Sequence, residues 1–242
     1  MPREAMGIAE SPCSADISAM TNPSTAEQAD AKLPVAGIIL AGGLSRRMGG
    51  GDKPLLSLAG RSMLARAVTR LREQVDCLAI NANGDPARFA EFGLPVIPDT
   101  LDGNLGPLAG ILAGMRWAVC SCPRARFMVS AAADTPFFPG DLVCNLGAGC
   151  GRDEDTVAMA ASPAGTHPVF ALWPIALADE LEAFLKKQSD GAKILSFADR
   201  YLRINVPFDN IRAGGIEVDP FFNVNTPEDA EEAASIARTI DT

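Results

Sequence analysis

The sequence predicts an α/β fold in which a mostly parallel sheet is flanked by helices on both faces. Three observations favour this class. A glycine-rich loop follows the first apolar run of strand length, a segment with helical periodicity follows that loop, and strand-like and helix-like segments then continue to alternate. The chain has 242 residues, of which 48% are apolar, so it can bury a large core. We predict a single domain over residues 34–242, preceded by a flexible tail over residues 1–33 that shows no periodicity.

The first half of the domain contains the clearest elements. Residues 35–41 form an apolar run of strand length, and residues 62–75 place apolar side chains at helical spacing. Residues 127–133 are small or apolar throughout, as a strand at the centre of a parallel sheet requires. The same reasoning predicts strands at 77–82 and 95–98 and helices at 85–92 and 107–119.

The second half of the domain continues the alternation. The last helix is well marked, because Thr226 is a good N-cap, Pro227 suits the first helical position and Asp229 stands three residues after the cap; we expect it to end near Ile240. Periodicity leaves the order of the late strands in the sheet open. The remaining predicted elements are a helix at 141–146, strands at 156–161 and 168–173, helices at 177–187 and 192–197, and strands at 203–207 and 216–218.

The charge balance limits the classes of partner. The chain carries 21 basic and 30 acidic side chains, a formal net charge of −9, which argues against binding to nucleic acid or to an anionic membrane surface. We find neither a secretory signal nor an apolar span long enough to cross a membrane, so we expect a cytoplasmic location. Any anionic ligand must therefore be met by a local basic site.

The cysteine spacing does not indicate a metal site. There is no CxxC pair among the six cysteines, and the chain has one histidine, whereas zinc sites need paired ligands at characteristic spacings. In the cytoplasm we expect reduced thiols with structural roles. The six are Cys13, Cys77, Cys120, Cys122, Cys144 and Cys150.

The glycine-rich loop at residues 40–53 has the composition of a loop that holds a nucleoside triphosphate. Glycines lack Cβ atoms, so successive backbone N–H groups can converge on phosphate oxygens, and the cationic side chains add charge. The spacing matches neither GxxxxGK(S/T) nor GxGxxG, which disfavours ordinary ATPases and dinucleotide-binding proteins. The strand–loop–helix order predicts a place at the carboxyl edge of the sheet, where open α/β sheets bind ligands. The residues concerned are Leu40, Ala41, Gly42, Gly43, Arg46, Arg47 and Lys53.

Two aspartates follow predicted strands at the same edge. Asp134 comes directly after the strand at 127–133, and a carboxylate there can bind Mg²⁺, with Mn²⁺ as an alternative, against phosphate oxygens. Asp99 is similarly placed after the strand at 95–98. Both keep a structural alternative, because aspartates also form turns and caps.

Other polar side chains are candidate contacts for a ligand. Asn81 ends the second predicted strand, and its amide offers both a donor and an acceptor to a base or ribose, whereas Asn83 is interpreted as a turn residue. Asn223 and Asn225 point the same way if their segment is extended, or they only precede a capped helix. His167 is the single histidine; it is either a ligand contact or a structural hydrogen-bonding group.

A series of segments beginning with LAGGLSRRMGGGDKPLL at 40–56 spans nearly the whole chain after residue 34. The others are NANGD at 81–85, IPD at 97–99, GPLAGI at 106–111, DTPFFP at 134–139, HPVFAL at 167–172 and FFNVNTPED at 221–229. In content and order this series resembles the molybdenum cofactor guanylyltransferases, which belong to a wider group of nucleotidyltransferases. The resemblance implies a Rossmann-like nucleotidyltransferase fold.

The resemblance also implies an activity and a set of site residues. The activity is transfer of GMP from GTP to the terminal phosphate of molybdopterin, with Mg²⁺, releasing pyrophosphate and leaving a guanine dinucleotide cofactor. Expected partners beyond these substrates are transient ones, namely molybdenum-insertion proteins and acceptor molybdoenzymes or their chaperones. The implied roles are catalysis for Arg47, Lys53 and Asp134, nucleotide binding for Leu40, Ala41, Gly42, Gly43, Lys53, Asn81, Asp99 and Asp134, metal binding for Asp134, and pterin or phosphate contacts for Asn223, Asn225 and His167.

Two alternatives stay open from the sequence. One is a related nucleotidyltransferase that uses CTP or activates a sugar or alcohol phosphate; by the resemblance, Gly43 in the LAGG form favours guanine. The other is a nucleotide-binding regulator without turnover, which the presence of both Lys53 and Asp134 disfavours.

Overall fold

The computed structural model of the protein describes residues 33–42, 52–103, 105–151, 153–188 and 191–241. Its strands are β1 (Val35–Leu40), β2 (Ser57–Leu58), β3 (Arg61–Ser62), β4 (Cys77–Asn81), β5 (Val96–Ile97), β6 (Phe127–Ala132), β7 (Thr156–Ser162), β8 (Gly165–Pro174), β9 (Leu202–Pro207), β10 (Ile211–Ala213) and β11 (Ile216–Val218). Its α-helices are α1 (Met63–Arg72), α2 (Pro107–Ser121), α3 (Leu142–Gly149), α4 (Ala178–Leu185), α5 (Ile194–Ala198) and α6 (Pro227–Ile240). Short 3₁₀ helices cover Lys53–Leu55, Pro86–Phe92 and Ile175–Leu177.

Within these ranges the main sheet has seven strands in the order β5-β4-β1-β6-β8-β7-β9. The strands β4, β1 and β6 are parallel neighbours, and β8 runs antiparallel to both β6 and β7. The prediction of a mostly parallel sheet is therefore confirmed. The exception has a simple cause: β7 and β8 are joined by a short turn, and parallel strands would need a long crossover connection.

Helices cover both faces of the sheet, as predicted, because successive residues of a strand face opposite sides. In β1, Val35 and Ile39 lie in a buried cluster with side chains of α1 and α3. Ala36 and Ile38 lie in a second buried cluster with side chains of α2, α4 and α5. A buried apolar side chain contributes about 1.5–3 kcal/mol to folding, so these two clusters are the main source of stability.

Three strand ends coincide at the carboxyl edge of the sheet. Leu40, the last residue of β1, pairs with Asn81 of β4 on one side and with Ala132 of β6 on the other. Beyond the strands, the N–H of Ala41 donates to the carbonyl of Asn81 at 2.9 Å, and the N–H of Ala133 donates to Leu40 at 3.1 Å. The segments that follow these strands are thus held side by side.

Helix α6 begins as the sequence predicts. The backbone N–H of Asp229 donates to Thr226 Oγ1 at 3.1 Å, and the Asp229 carboxylate accepts from the N–H of Thr226 at 2.8 Å. This reciprocal pair is a capping box. The helix packs with the two small hairpins in a third apolar cluster.

One expectation about the cysteines is wrong. Cys77, at the start of β4, and Cys122, the C-cap of α2, form a disulfide with their Cα atoms 6.3 Å apart. These residues are separated by 45 positions, so only the packing of α2 against β4 brings them together and no spacing motif records it. Among the described residues, Cys120, Cys144 and Cys150 are free.

The predicted tail, apart from Leu33, lies outside the described residues, so the domain boundary at residue 34 stays a prediction. None of the helices in the described ranges is both long enough and apolar enough to cross a membrane.

Candidate active site

A cleft of about 580 Å³ opens at the carboxyl edge of the sheet. Leu40, Ala41 and Gly42 form one wall, and residues after β4 and β5 form another. Gly106 and Pro107 line it as well, so the N-terminus of α2 lies at the cleft. Gly106 has φ of +73°, a conformation that suits glycine, and the N-terminus of this 15-residue helix contributes a partial positive charge.

Lys53 and Asp134 are in contact, and the two chain neighbours of Lys53, Asp52 and Pro54, line this cleft. Lys53 Nζ donates to Asp134 Oδ2 at 2.6 Å and to Asn225 Oδ1 at 2.9 Å. The Lys53 side chain is 16% exposed and that of Asp134 is 25% exposed, so water screens the pair only in part. Three segments that are distant in the sequence therefore place one cation and two oxygens at a single point.

Hydrogen bonds from neighbouring segments hold the main chain around Asp134. Val224 donates its N–H to the carbonyl of Asp134 at 3.0 Å. From α1, Arg70 donates to the carbonyls of Pro136 and Phe138 at 3.0 and 3.2 Å, which holds the segment after Asp134. These bonds fix the main chain that carries the Asp134 carboxylate.

The position of Asn225 is set by the start of α6. The Asp229 carboxylate accepts from the N–H of Asn225 at 2.7 Å as well as from Thr226. These backbone hydrogen bonds lower the pKa of Asp229 below its ordinary value, because they favour the charged carboxylate. The cap of the helix therefore also orients Asn225 towards Lys53.

A second polar network forms the far wall of the cleft. Asn81, 5% exposed, donates from Nδ2 to the carbonyl of Ile97 and to Asp99 Oδ1, both at 3.0 Å. Asn83 donates to Asp99 Oδ2 at 2.8 Å and accepts from the Asp99 N–H at 2.9 Å. Each oxygen of the Asp99 carboxylate thus has one amide donor, which fixes the plane of the carboxylate at the cleft.

Comparisons with known proteins decide the family. The family model of the MobA-like NTP transferase domain matches residues 37–202. A molybdenum cofactor guanylyltransferase of Bradyrhizobium sp. is 49% identical over 84% of this chain and 93% of that protein. One of Rhodopseudomonas palustris is 52% identical over 83% of this chain and 92% of that protein. The chain belongs to the molybdenum cofactor guanylyltransferase family.

The fold agrees with this family. The crystal structure of molybdopterin-guanine dinucleotide biosynthesis protein A from Archaeoglobus fulgidus matches with a TM-score of 0.63 and 23% identity, over 84% of this chain and 98% of that one. A nucleotidyl transferase from Methanothermobacter matches with a TM-score of 0.62 and 18% identity, over 85% of this chain and 99% of that one. The protein is a nucleotidyltransferase of the α/β class.

The residues suggested by the family resemblance fall into separate groups. Lys53, Asp134 and Asn225 are in contact, whereas Asn223 is exposed on the segment that leads to Asn225. Gly43 and Arg47, two further predicted contacts, lie outside the described residues.

His167 has structural contacts of its own. Its Nε2 lies 2.7 Å from Ser162 Oγ, and Ser162 donates to Asp219 Oδ2 at 2.8 Å. The imidazole stacks on Phe221 with ring centroids 4.4 Å apart. Burial lowers the pKa of His167, although the nearby Asp219 carboxylate opposes this shift; the lower pKa favours the neutral ring.

Sequence reasoning missed three residues that organise the site. Asn83 was interpreted as a turn residue, yet it holds Asp99; Arg88 was not singled out, yet it lines the cleft. Gly110 of α2 lies against Asn81, where an added Cβ would come within 2.2 Å of Asn81 Oδ1. The only available signal was the glycine inside a predicted helix, because a mid-helix glycine costs stability unless close packing requires it.

Proposed function

We propose that the protein transfers GMP from GTP to the terminal phosphate of molybdopterin and thereby forms molybdopterin guanine dinucleotide. One observation carries this proposal: Lys53, which contacts Asp134 and Asn225, stands between two residues that line the cleft, Asp52 and Pro54, and the opposite wall of that cleft presents the fixed carboxylate of Asp99. The names of the relatives support the same reaction. Transient contacts with molybdenum-insertion proteins and acceptor molybdoenzymes or their chaperones, and a cytoplasmic location, belong to the same proposal.

The reaction asks for charge and alignment rather than a covalent nucleophile. A terminal phosphate oxygen of molybdopterin forms a bond to the α-phosphorus of GTP, while the bond from that phosphorus to the bridging β-phosphate oxygen breaks and pyrophosphate leaves. Negative charge builds up on the leaving pyrophosphate. Lys53, whose ammonium is positioned by its contact with Asp134, supplies compensating positive charge, and Arg47 is proposed for the same task.

Guanine selection is assigned to the Asp99 wall. Each Asp99 oxygen already accepts one amide hydrogen and keeps acceptor capacity for a base. A carboxylate can accept from both the N1–H and the 2-amino group of guanine, whereas adenine and cytosine lack this pair of donors. Since Asn81 and Asn83 fix the carboxylate plane, a base without these donors forgoes two hydrogen bonds to a charged acceptor.

The donor set fits a hard divalent cation, Mg²⁺ or Mn²⁺. Asp134 Oδ2 and Asn225 Oδ1 converge on the position that the Lys53 ammonium occupies, and both are oxygen ligands of the kind that Mg²⁺ prefers. The described residues contain no group of three or more histidine, cysteine, aspartate or glutamate side chains suited to a metal. Mg²⁺ sites commonly use one or two protein ligands and complete the shell with substrate phosphates and water. When bound, the cation would supply Lewis-acid stabilisation of charge on the phosphates.

A nucleotide panel tests the proposal. Purified protein is incubated with Mg²⁺, molybdopterin and a nucleoside triphosphate that is radiolabelled at the α-phosphate. We expect label from GTP, and not from CTP or ATP, to join molybdopterin with release of pyrophosphate. Preferential use of CTP would reject the guanine assignment, and GTP binding without pyrophosphate release would indicate a nucleotide-binding regulator.

A further inference from the structure

Arg88 bridges the two walls of the cleft. Its Nη1 forms an ion pair with Asp52 Oδ1, and its Nη2 donates to the carbonyl of Asn83 at 2.8 Å. Asp52 immediately precedes Lys53 and caps the 3₁₀ helix that begins there. Asn83 holds both the carboxylate and the backbone N–H of Asp99. One guanidinium therefore connects the lysine side of the cleft to the aspartate side.

The guanidinium of Arg88 is held in one orientation. It lies 4.6 Å above the centroid of the Phe89 ring, and Phe89 itself is fully buried. Its Nε is buried without a hydrogen-bond partner among the described residues, so the two terminal nitrogens and the Phe89 ring set the orientation of the guanidinium. Since a planar guanidinium has a rigid fork of donors, a carboxylate on one arm and a carbonyl on the other fix the separation of the two groups.

Stability alone does not explain this pair. The Arg88 side chain is 30% exposed and that of Asp52 is 37% exposed, and ion pairs with this much exposure contribute little to folding. The contact does, however, control geometry at a place where small displacements are costly for transfer chemistry.

We infer that Arg88 is a positioning residue that sets the distance between the phosphate-binding lysine and the guanine-binding aspartate. It acts on Lys53 through Asp52 and on Asp99 through Asn83, and the ligand it serves is a guanine nucleoside triphosphate. This inference rests on the proposed function. Without the bridge, each wall keeps its own contacts but the two no longer fit one nucleotide.

A double-mutant cycle tests the inference through GTP binding, measured with a fluorescent GTP analogue, and through the KM for GTP and kcat. We expect Arg88→Ala to weaken binding about tenfold, the effect of a modest misplacement. Asp52→Asn should weaken it in the same direction, and the double variant should be no worse than Arg88→Ala, because both changes remove one bridge. Arg88→Lys should be intermediate, since an ammonium keeps the charge but not the fork.

The control is Arg72→Ala. Arg72 is an exposed arginine that also donates to a carbonyl, that of Phe92, at 2.9 Å, but it does not line the cleft. It should leave GTP binding unchanged. If Asp52→Asn binds GTP like wild type while Arg88→Ala does not, Arg88 contacts the nucleotide directly and the bridge is refuted.

The two proposals fail in different ways. Wild-type protein that binds GTP but transfers nothing to molybdopterin refutes the proposed function, while the binding cycle still tests Arg88. GMP transfer with additive losses in the cycle refutes the bridge alone.

Discussion

Replacing Gly110 with alanine puts a methyl group where the Asn81 side chain lies. The new Cβ would lie 2.2 Å from Asn81 Oδ1, 2.8 Å from its Cγ and 2.9 Å from Leu40 Cδ2. Such distances are too short, so either Asn81 rotates away or α2 moves from the sheet. Rotation breaks the hydrogen bonds of Asn81 to Ile97 and Asp99.

The expected losses of stability and of GTP affinity in Gly110→Ala follow from these contacts. Overpacking a core position costs about 1–3 kcal/mol, and the better helix propensity of alanine returns up to about 1 kcal/mol. We expect the melting temperature to fall by about 2–4 °C, as a net loss of about 1 kcal/mol does in a domain of this size. Loss of the Asn81 contact should weaken GTP binding about tenfold, because a hydrogen bond is worth about 1–1.5 kcal/mol.

Gly114→Ala is the matched control. Gly114 lies one turn further along α2, and its added Cβ would come within 2.7 Å of Met128 Sδ and 2.9 Å of Ile38 Cβ, which are buried apolar groups. Both variants should melt earlier, but only Gly110→Ala should weaken GTP binding, measured by titration calorimetry. Equal GTP affinity in the two variants would refute the role given to Asn81.

Three further predictions concern charged groups. Asp134→Asn should keep GTP binding but lower turnover by about 100-fold or more, measured as pyrophosphate release; turnover within twofold of wild type would remove Asp134 from catalysis. Asp241 accepts two hydrogen bonds from the buried Arg66, and these bonds lower the pKa of Asp241. The charged carboxylate therefore stabilises the fold fully above its unfolded pKa of about 3.9. This stabilisation is lost as the pH falls through the folded pKa. Asp241→Asn should therefore lower the melting temperature by about 2–4 °C at pH 7, and the difference from wild type should shrink towards pH 3; a constant difference would contradict the ion pair. Burial lowers the pKa of His167, so the NMR signal of this single histidine should titrate below pH 6.5. The free energy of unfolding should fall as the pH drops from about 6.5 through the folded pKa of His167. Titration above pH 6.5 would show that the Asp219 carboxylate outweighs burial.

The fold could be predicted where local pattern decides the outcome. The apolar run before the glycine loop, the capping box at Thr226 and the buried strand before Asp134 have their cause within a few residues. The antiparallel course of β8 depends on which strands pair, and the Cys77–Cys122 disulfide depends on how α2 packs on β4. Neither feature leaves a periodic pattern of apolar residues from which it could be predicted.

The candidate site could also be predicted only in part. The rule that carboxyl ends of parallel strands share an edge is enough to expect Lys53 and Asp134 near one another, although 81 positions separate them. Lys53 and Asn225 are 172 positions apart, so their contact could be predicted only from the full path of the chain. Asn83 is exposed in the segment after β4, and Arg88 lies in the short 3₁₀ helix that follows it. Polar side chains at such positions usually have no special role, so their contacts could be seen only in three dimensions.

The central claim is that Lys53, Asp134 and Asp99 act on a single guanine nucleotide. A crystal structure with GTP and Mn²⁺, located by anomalous scattering, tests it most directly. We expect Mn²⁺ about 2.1 Å from an Asp134 oxygen and from a phosphate oxygen, Lys53 Nζ in contact with the triphosphate, and the guanine edge against Asp99. A triphosphate away from Lys53, or a guanine that does not reach Asp99, would contradict it.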